Sequence, residues 1–120
     1  FEIAQPETLA DQLARARVMY MRGGTTELLL SLLRQTPNVG RFFTNKIIAG
    51  SSVGAYALAK YSWDWDEEIQ TIREGLGVLP IKMICHYTEE RKAHLEELMK
   101  SEEGLPVLTL PDYKWVVMYK

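Results

Sequence analysis

Short apolar runs alternate along this chain with segments in which apolar residues recur at helical spacing. The apolar runs predict strands at 18–21, 46–50, 81–87, 106–110 and 114–119. The helical patterns predict helices at 6–16, 27–34, 66–74 and 88–102, and a further apolar helix ending at Lys60. Strands that alternate with helices are typical of a three-layer α/β/α fold with a mostly parallel sheet and right-handed crossovers. We therefore predict one α/β domain over residues 1–120.

Finer features of the pattern give more specific expectations. The run 46–50 is continuously apolar, which favours a strand covered on both faces. Leucines wrap most of helix 27–34, which suggests that several sides of it are covered. The aromatic and acidic stretch from Tyr61 to Glu68 is interpreted as an excursion or lid. Thr88 is expected to cap the last helix, and Pro111-Asp112-Tyr113 to form a turn.

Composition excludes several classes of function. The chain has 120 residues, of which 47% are hydrophobic, enough for one globular core. A formal net charge of -2, without a cluster of Lys and Arg, argues against nucleic-acid binding. The apolar runs are far shorter than the roughly 20 residues of a membrane span. The single cysteine, Cys85, cannot form an internal disulfide and favours a reducing, cytoplasmic setting.

The segment Gly50-Ser51-Ser52-Val53-Gly54 matches the pattern Gly-x-Ser-x-Gly between a predicted strand and a predicted helix. A nucleophile on so tight a turn needs small residues two positions away on either side. The turn would expose the Ser52 hydroxyl at the edge of the sheet, and the Val53 N–H could stabilise an oxyanion. A tight turn that only packs closely, or one that cradles a phosphate, has the same composition.

A serine nucleophile requires a base, and the chain contains two histidines. His86 ends a predicted strand and should reach the same sheet edge as Ser52, although a half-buried structural histidine is an equal alternative. His94 lies in a charged helix and is interpreted as a solvated surface residue.

An orienting carboxylate is the third requirement, and Asp112, in the turn after a predicted strand, could reach the same edge. An ordinary turn aspartate is the alternative interpretation of Asp112, and Asp64 and Asp66 are rival candidates. The acidic group formed by Asp64 and residues 66–68 has no histidine or cysteine spaced to join it. We therefore interpret this group as a solvated face and expect no metal and no cofactor.

The remaining candidates are weaker. Gly23-Gly24, after a strand and before a helix, permits a second oxyanion donor but also suits any tight turn. Cys85 should point to the opposite face from His86 and is interpreted as a buried residue. Trp63, Trp65 and Trp115 could line a pocket, although aromatic residues more often serve packing.

In this order, the motifs resemble peptidase family S51, which includes peptidase E and cyanophycinase and has a class I glutamine amidotransferase-like fold. Residues 20–26, Tyr-Met-Arg-Gly-Gly-Thr-Thr, resemble the family's strand and Gly-Gly-Asn-Thr turn. Residues 48–55 resemble its Gly-x-Ser-Ala-Gly-Ala elbow, and residues 75–87 its Gly-Leu-Gly segment before the catalytic His-Phe or His-Tyr. Residues 110–115 resemble the late turn that carries an acidic triad member. The similarity covers nearly the whole chain.

The resemblance implies a metal-free serine exopeptidase that acts on short peptides, with an N-terminal aspartate as in peptidase E. By position, Ser52 would be the nucleophile, His86 the base and Asp112 its orienting acid. The N–H groups of Gly24 and Val53 would form the oxyanion hole, and Arg91 would bind the substrate carboxylate. A surface residue of the last helix is the alternative interpretation of Arg91.

The chain departs from the family pattern at several points. Val53 replaces alanine, Thr25 replaces asparagine, and the spacing from His86 to Asp112 is short for peptidase E. Complete members also have further strands and helices before the position of Phe1. We therefore expect either that the chain is part of such a domain or that a homo-oligomer or a partner chain completes the sheet. A non-catalytic binding or assembly module of the same fold is the alternative function. A glutamine amidotransferase is disfavoured because that chemistry requires cysteine at the position of Ser52.

Overall fold

The computed structural model describes residues 1–65, 69–102 and 104–119. Its α-helices are α1 (Leu9–Arg15), α2 (Thr26–Gln35), α3 (Val53–Leu58) and α4 (Lys92–Lys100). Its strands are β1 (Val18–Met21), β2 (Ile47–Gly50), β3 (Ala59–Trp65), β4 (Gln70–Glu74), β5 (Leu79–Cys85) and β6 (Val107–Leu110). Short 3-10 helices occupy Pro6–Thr8, Val39–Phe43 and Glu89–Arg91.

The strands form a two-stranded sheet of β1 and β2 and a four-stranded sheet in the order β4-β3-β5-β6. The β1–β2, β3–β5 and β5–β6 pairs are parallel, and only β3–β4 is antiparallel among the pairs of the described strands. This confirms the prediction of an α/β fold with mostly parallel strands. Parallel strands end at a common edge, so the carboxyl ends of β3, β5 and β6 all lie on one side of the sheet.

Helix α3 is the centre of the molecule. All six of its residues are buried, and the helix contacts β1 and β2 of one sheet and β3 and β5 of the other. Ala57 and Ala59 have no exposed surface, and Tyr56 has 2%. Small residues here let the two sheets approach a single short helix, whose first turn is thereby fixed between them.

One face of the β1–β2 pair is open. Val18, Tyr20 and Ile47 are 62%, 65% and 69% exposed, so the prediction that the strand at 46–50 is covered on both faces is wrong. Completion of the sheet by a second chain stays a prediction. No helix in the described ranges is long and apolar enough to span a membrane.

The region after α3 differs most from the sequence prediction. The apolar helix ends at Leu58 rather than Lys60, and the stretch interpreted as a lid is largely strand β3, where Trp63 and Asp64 are 4% and 3% exposed. The helix predicted at 66–74 is wrong where the structure describes it, because β4 pairs antiparallel with β3. Residues 66–68 lie outside the described residues. A short apolar run does not distinguish a buried helix from a buried strand. In this region, pairing with neighbouring strands stabilises the strand conformation.

Three smaller predictions are also wrong. Leu28 is 71% exposed, so the leucines of α2 are covered on one side and not all round. Residues 114–119 have no regular structure and are exposed, although their composition predicts a strand. Thr88 makes no side-chain capping bond, and the predicted long helix is the 3-10 helix Glu89–Arg91 followed by α4, which ends at Lys100.

Lys82 on β5 caps the C-terminal end of α4. This side chain is 2% exposed, and its ammonium group donates to the carbonyl oxygens of Met99, Ser101 and Glu102 at 2.9, 2.5 and 3.1 Å. The last carbonyls of a helix have no partner within the helix, and a cation there also interacts favourably with the helix dipole. Lys82 therefore couples α4 to the sheet.

We expect Lys82→Met to lower the free energy of unfolding by about 2 kcal/mol, because it leaves three part-buried carbonyl groups without their donor. Urea denaturation of the variant measures this change, with Lys92→Met on the exposed side of α4 as the control. Equal stability of the two variants would contradict the capping role.

Candidate active site

The turn from β2 into α3 is a point of very close backbone approach. A Cβ added to Gly50 would lie 2.6 Å from the carbonyl carbon of Gly54, and one added to Gly54 would lie 2.0 Å from the Met21 oxygen. No side chain fits at either position. The chain can therefore turn from strand to helix within a few residues, and Ser52 at its apex adopts a φ of 50° and a ψ of -115°. A non-glycine residue in this region is strained and is held by its surroundings.

The segments beside Ser52 supply backbone donors. Val53 is the first residue of α3, where N–H groups lack a partner within the helix. A Cβ on Gly23 would lie 3.3 Å from the Ser52 Cβ, so the turn after β1 runs directly against the serine. Gly24, the next residue, thus borders the same space. Both candidate oxyanion donors belong to segments that contact Ser52 or follow it.

His86 directly follows β5 and also has a positive φ, of 55°. Its Nε2 lies 3.0 Å from Ser52 Oγ, within hydrogen-bonding distance. The Cys85 side chain is buried at 3% exposure, whereas the His86 side chain is 44% exposed. The left-handed conformation of His86 ends the extended strand, and its side chain leaves the core and approaches the serine.

Asp112 lies on the other side of the His86 ring. Its Oδ1 is 2.5 Å from His86 Nδ1. Asp112 lies in a turn that follows β6, and the end of β6 is bonded to the segment after β5 through the Tyr87 N–H and the Leu110 oxygen. A carboxylate only accepts hydrogen bonds, so Nδ1 carries the proton and Nε2 is left to accept from the Ser52 hydroxyl. The structure thus brings Ser52, His86 and Asp112 into one chain of hydrogen bonds.

The rival carboxylate is elsewhere. Asp64 is buried on β3, accepts a hydrogen bond from Thr26 Oγ1 at 3.0 Å and pairs with Arg73 Nε at 2.7 Å. These contacts hold α2 against the second sheet, so Asp64 has a structural role. Asp66, the other rival, lies outside the described residues.

The interpretation of His94 as a solvated residue is wrong. Its ring centroid lies 4.6 Å from that of Trp63 and 4.9 Å from that of Trp65. Arg91, the candidate for the substrate carboxylate, has its guanidinium carbon 4.0 Å from the centroid of the Trp65 ring. A helix residue flanked by charges reads as exposed, and only the strand assignment of the two tryptophans could have predicted this contact.

Sequence reasoning missed a hydroxyl pair beside the elbow. Tyr20 Oη lies 3.0 Å from Ser51 Oγ, which ties the exposed side of β1 to the residue before Ser52. Parallel pairing of β1 with β2 brings this tyrosine alongside the turn, with Tyr20 opposite Ala49. The two apolar runs predict the strands, but their register is not encoded in either run alone.

Cys85 is a poor nucleophile despite its position next to His86. Burial raises the pKa of its thiol to about 12, and the negative charge of Asp112 adds to the rise. The reactive form of cysteine is the thiolate, which this environment suppresses. The structure agrees with the sequence interpretation of Cys85 as a buried core residue.

Comparison with known proteins gives one finding about family. The model of peptidase family S51 matches residues 2–120, which is nearly the whole chain. Comparisons with curated proteins and with solved structures give no significant match.

The tight elbow predicts that Gly54→Ala lowers the free energy of unfolding by about 3 kcal/mol, because the new methyl group overlaps the Met21 backbone. Chemical denaturation measures the loss. Gly40→Ala is the matched control, since a Cβ there meets no atom within 4 Å. A Gly54→Ala protein as stable as this control would show that the close approach is not required.

The buried thiol predicts slow modification of the native protein. We expect Cys85 to resist iodoacetamide at pH 8 in the folded chain and to react fully in denaturant, as followed by the mass of the intact protein. Rapid modification of the folded protein would mean that the thiol is accessible and ionised.

Proposed function

This chain belongs to peptidase family S51, and from that membership we propose that it is a serine-type exopeptidase, a dipeptidase that hydrolyses short peptides with an N-terminal aspartate. The proposed nucleophile is Ser52, the base is His86 and the orienting acid is Asp112. A reducing cytoplasm is the proposed setting, in keeping with the single cysteine. Peptidase function in general follows from the family, and the residue roles and the substrate are our proposal.

The observation that carries the proposal is the unbroken chain of hydrogen bonds from Ser52 Oγ through the His86 ring to Asp112 Oδ1, at 3.0 and 2.5 Å. A nucleophile, a base that contacts it and a group that orients the base are the geometric requirements for activating a serine. The strained backbone at both Ser52 and His86 supports a functional use, since such strain concentrates at active sites.

The geometry suggests the following acylation step. Ser52 Oγ attacks the carbonyl carbon of the peptide bond while His86 Nε2 takes the hydroxyl proton. The N–H groups of Gly24 and Val53 donate to the oxygen that becomes negative. When the C–N bond breaks, His86 returns the proton to the leaving amine, and an ester of Ser52 remains.

Deacylation repeats the sequence with water. His86 removes a proton from water, the hydroxide attacks the ester carbonyl, and Ser52 leaves as its alkoxide and takes the proton back from His86. Asp112 stabilises the doubly protonated ring in both steps through its bond to Nδ1. The site is restored and one peptide bond has been hydrolysed.

Arg91 supports the choice of an acidic substrate. It ends the 3-10 helix Glu89–Arg91, shortly after His86 in sequence, and its buried Nη1 has no hydrogen-bond partner among the residues that the structure describes. A guanidinium group pairs with a carboxylate through parallel N–H bonds. The proposed partner is the side-chain carboxylate of the N-terminal aspartate.

A non-catalytic assembly module is the second candidate function. The exposed apolar face formed by Val18, Tyr20 and Ile47 favours it, since contiguous apolar surface often marks a contact with another protein. Such a module would not need an activated Ser52, so the same assay decides between the two candidates.

We expect hydrolysis of an N-terminal aspartyl p-nitroanilide by the folded chain, reduced about 10⁴-fold in Ser52→Ala and to a similar degree in His86→Gln. Asp112→Asn should lower kcat more than it raises KM, because the residue orients the base and does not bind substrate. Release of p-nitroaniline measures each rate.

Ser51→Ala is the matched control, because it removes the neighbouring hydroxyl and leaves Ser52 in place; its rate should stay within a few-fold of the parent. Equal rates for Ser52→Ala and the parent would exclude the serine mechanism. A folded parent without turnover on any aspartyl amide would favour the assembly function.

A further inference from the structure

Four exposed residues, Arg22 to Thr25, connect β1 to α2 and include Gly24, the proposed oxyanion donor. We call this segment the glycine loop (residues 22–25). A Cβ added to Gly24 would meet no atom of the described residues within 4 Å, so packing does not hold this residue. Glycine also restrains the backbone less than any other residue does. The position of the Gly24 N–H is therefore set by the two ends of the loop.

The first end of the glycine loop is bonded to the serine turn. Met21 ends β1 opposite Gly50, and its carbonyl oxygen accepts a hydrogen bond from the Ser51 N–H at 3.0 Å. The backbone of Gly54 also packs directly against this carbonyl group. This end of the loop is therefore held at a constant distance from Ser52.

The second end of the loop depends on a buried carboxylate. Thr26, the first residue of α2, is 2% exposed, and its Oγ1 donates to Asp64 Oδ1 at 3.0 Å. Thr25, in the N-cap position, makes no side-chain capping bond within the described part of the chain. The start of α2 is thus held by the bond from Thr26 to β3 and not by a cap of its own.

Asp64 is itself fixed by a second bond. Its Oδ2 accepts from Arg73 Nε on β4 at 2.7 Å, and Arg73 Nη1 pairs with Glu27 Oε2 at 2.8 Å. Both oxygens of the Asp64 carboxylate are therefore used, and charge-assisted bonds of this kind have well-defined directions. The network that joins the first turn of α2 to β3 and β4 comprises Thr26, Glu27, Asp64 and Arg73.

The geometry of an oxyanion hole makes the second end important for catalysis. A donor must lie about 3 Å from the oxygen that becomes negative, and a displacement of about 1 Å greatly slows the reaction. Gly23 lies against Ser52, so the loop passes the nucleophile directly before it reaches Gly24. Loss of the bond at Thr26 would let Gly24 shift relative to Ser52 without any change in the hydrogen bonds of the candidate triad.

We propose that Thr26 and Asp64 are positioning residues for the oxyanion hole. Their hydrogen bond fixes the start of α2 and thereby keeps the Gly24 N–H directed at the oxygen that becomes negative when Ser52 attacks. Both side chains are buried and act through the glycine loop, without contact with the substrate. This inference rests on the proposed function, because it concerns the oxyanion hole of the same site.

The test replaces Thr26 by valine, which keeps the shape of the side chain and removes the donor. We expect Thr26→Val to lower kcat for the aspartyl p-nitroanilide about tenfold with KM nearly unchanged, because the affected interaction exists only in the transition state. Thr26→Ser retains the hydroxyl and should keep most of the parent's kcat. Asp64→Ala should lower kcat to a similar degree, and the double variant no further, because both changes break the same bond.

Lys82→Met is the control for a general loss of stability. It removes buried hydrogen bonds at the C-terminal end of α4, outside the network that holds the glycine loop. At a temperature where all variants are folded, its kcat should equal that of the parent.

A measurement without turnover separates this inference from the proposed function. Amide NMR spectra and relaxation report the chemical shifts and order parameters of Gly23 and Gly24. In Thr26→Val the shifts should change and the order parameters should fall, while Thr26→Ser and Lys82→Met should resemble the parent.

Altered loop amides together with a lower kcat in Thr26→Val support the inference. Unchanged kcat or unchanged loop amides in Thr26→Val, or an equal loss of kcat in Lys82→Met, overturn it and leave the peptidase intact. Altered loop amides in Thr26→Val, combined with a parent chain that shows no turnover, would overturn the proposed function alone.

Discussion

Contact between the backbones of Gly50 and Gly54 is the constraint on which the candidate site depends. Because no Cβ stands between them, the chain passes from β2 into α3 in one tight turn, and the turn forces Ser52 to a φ of 50°. Burial of every α3 residue between the two sheets maintains this strain. Ser52 is consequently held at the sheet edge, where its hydroxyl lies 3.0 Å from His86 Nε2.

The rest of the arrangement follows from the parallel sheet. Strands β5 and β6 run in the same direction, so the residues after them, His86 and Asp112, come together at one edge without a long loop. The core is apolar beneath that edge, while His86 and Asp112 are 44% and 62% exposed. The buried core thus supports hydrogen-bonded polar side chains that are exposed at the sheet edge, where a peptide can reach them.

Much of this could be predicted from the sequence, because the features concerned are local. The elbow glycines, the strand before His86 and the turn at Asp112 each lie within a few residues, and their order matched a known family. The strands Ala59–Trp65 and Gln70–Glu74 could not be assigned correctly, since short apolar and aromatic runs fit a helix, a lid or a strand equally well. The first of these segments is a strand because it pairs with β5, which is distant in sequence. The contacts of His94 could not be predicted for the same reason, because strand β3 brings Trp63 and Trp65 to it.

The central claim is that His86 activates Ser52, and site-specific labelling tests it most directly. A fluorophosphonate probe reacts with activated serines, and peptide mass mapping distinguishes Ser52 from its neighbour Ser51. The account predicts an adduct on Ser52 alone, formed by the folded protein and lost in His86→Gln. An adduct on Ser51, or the same labelling of Ser52 without His86, would contradict it.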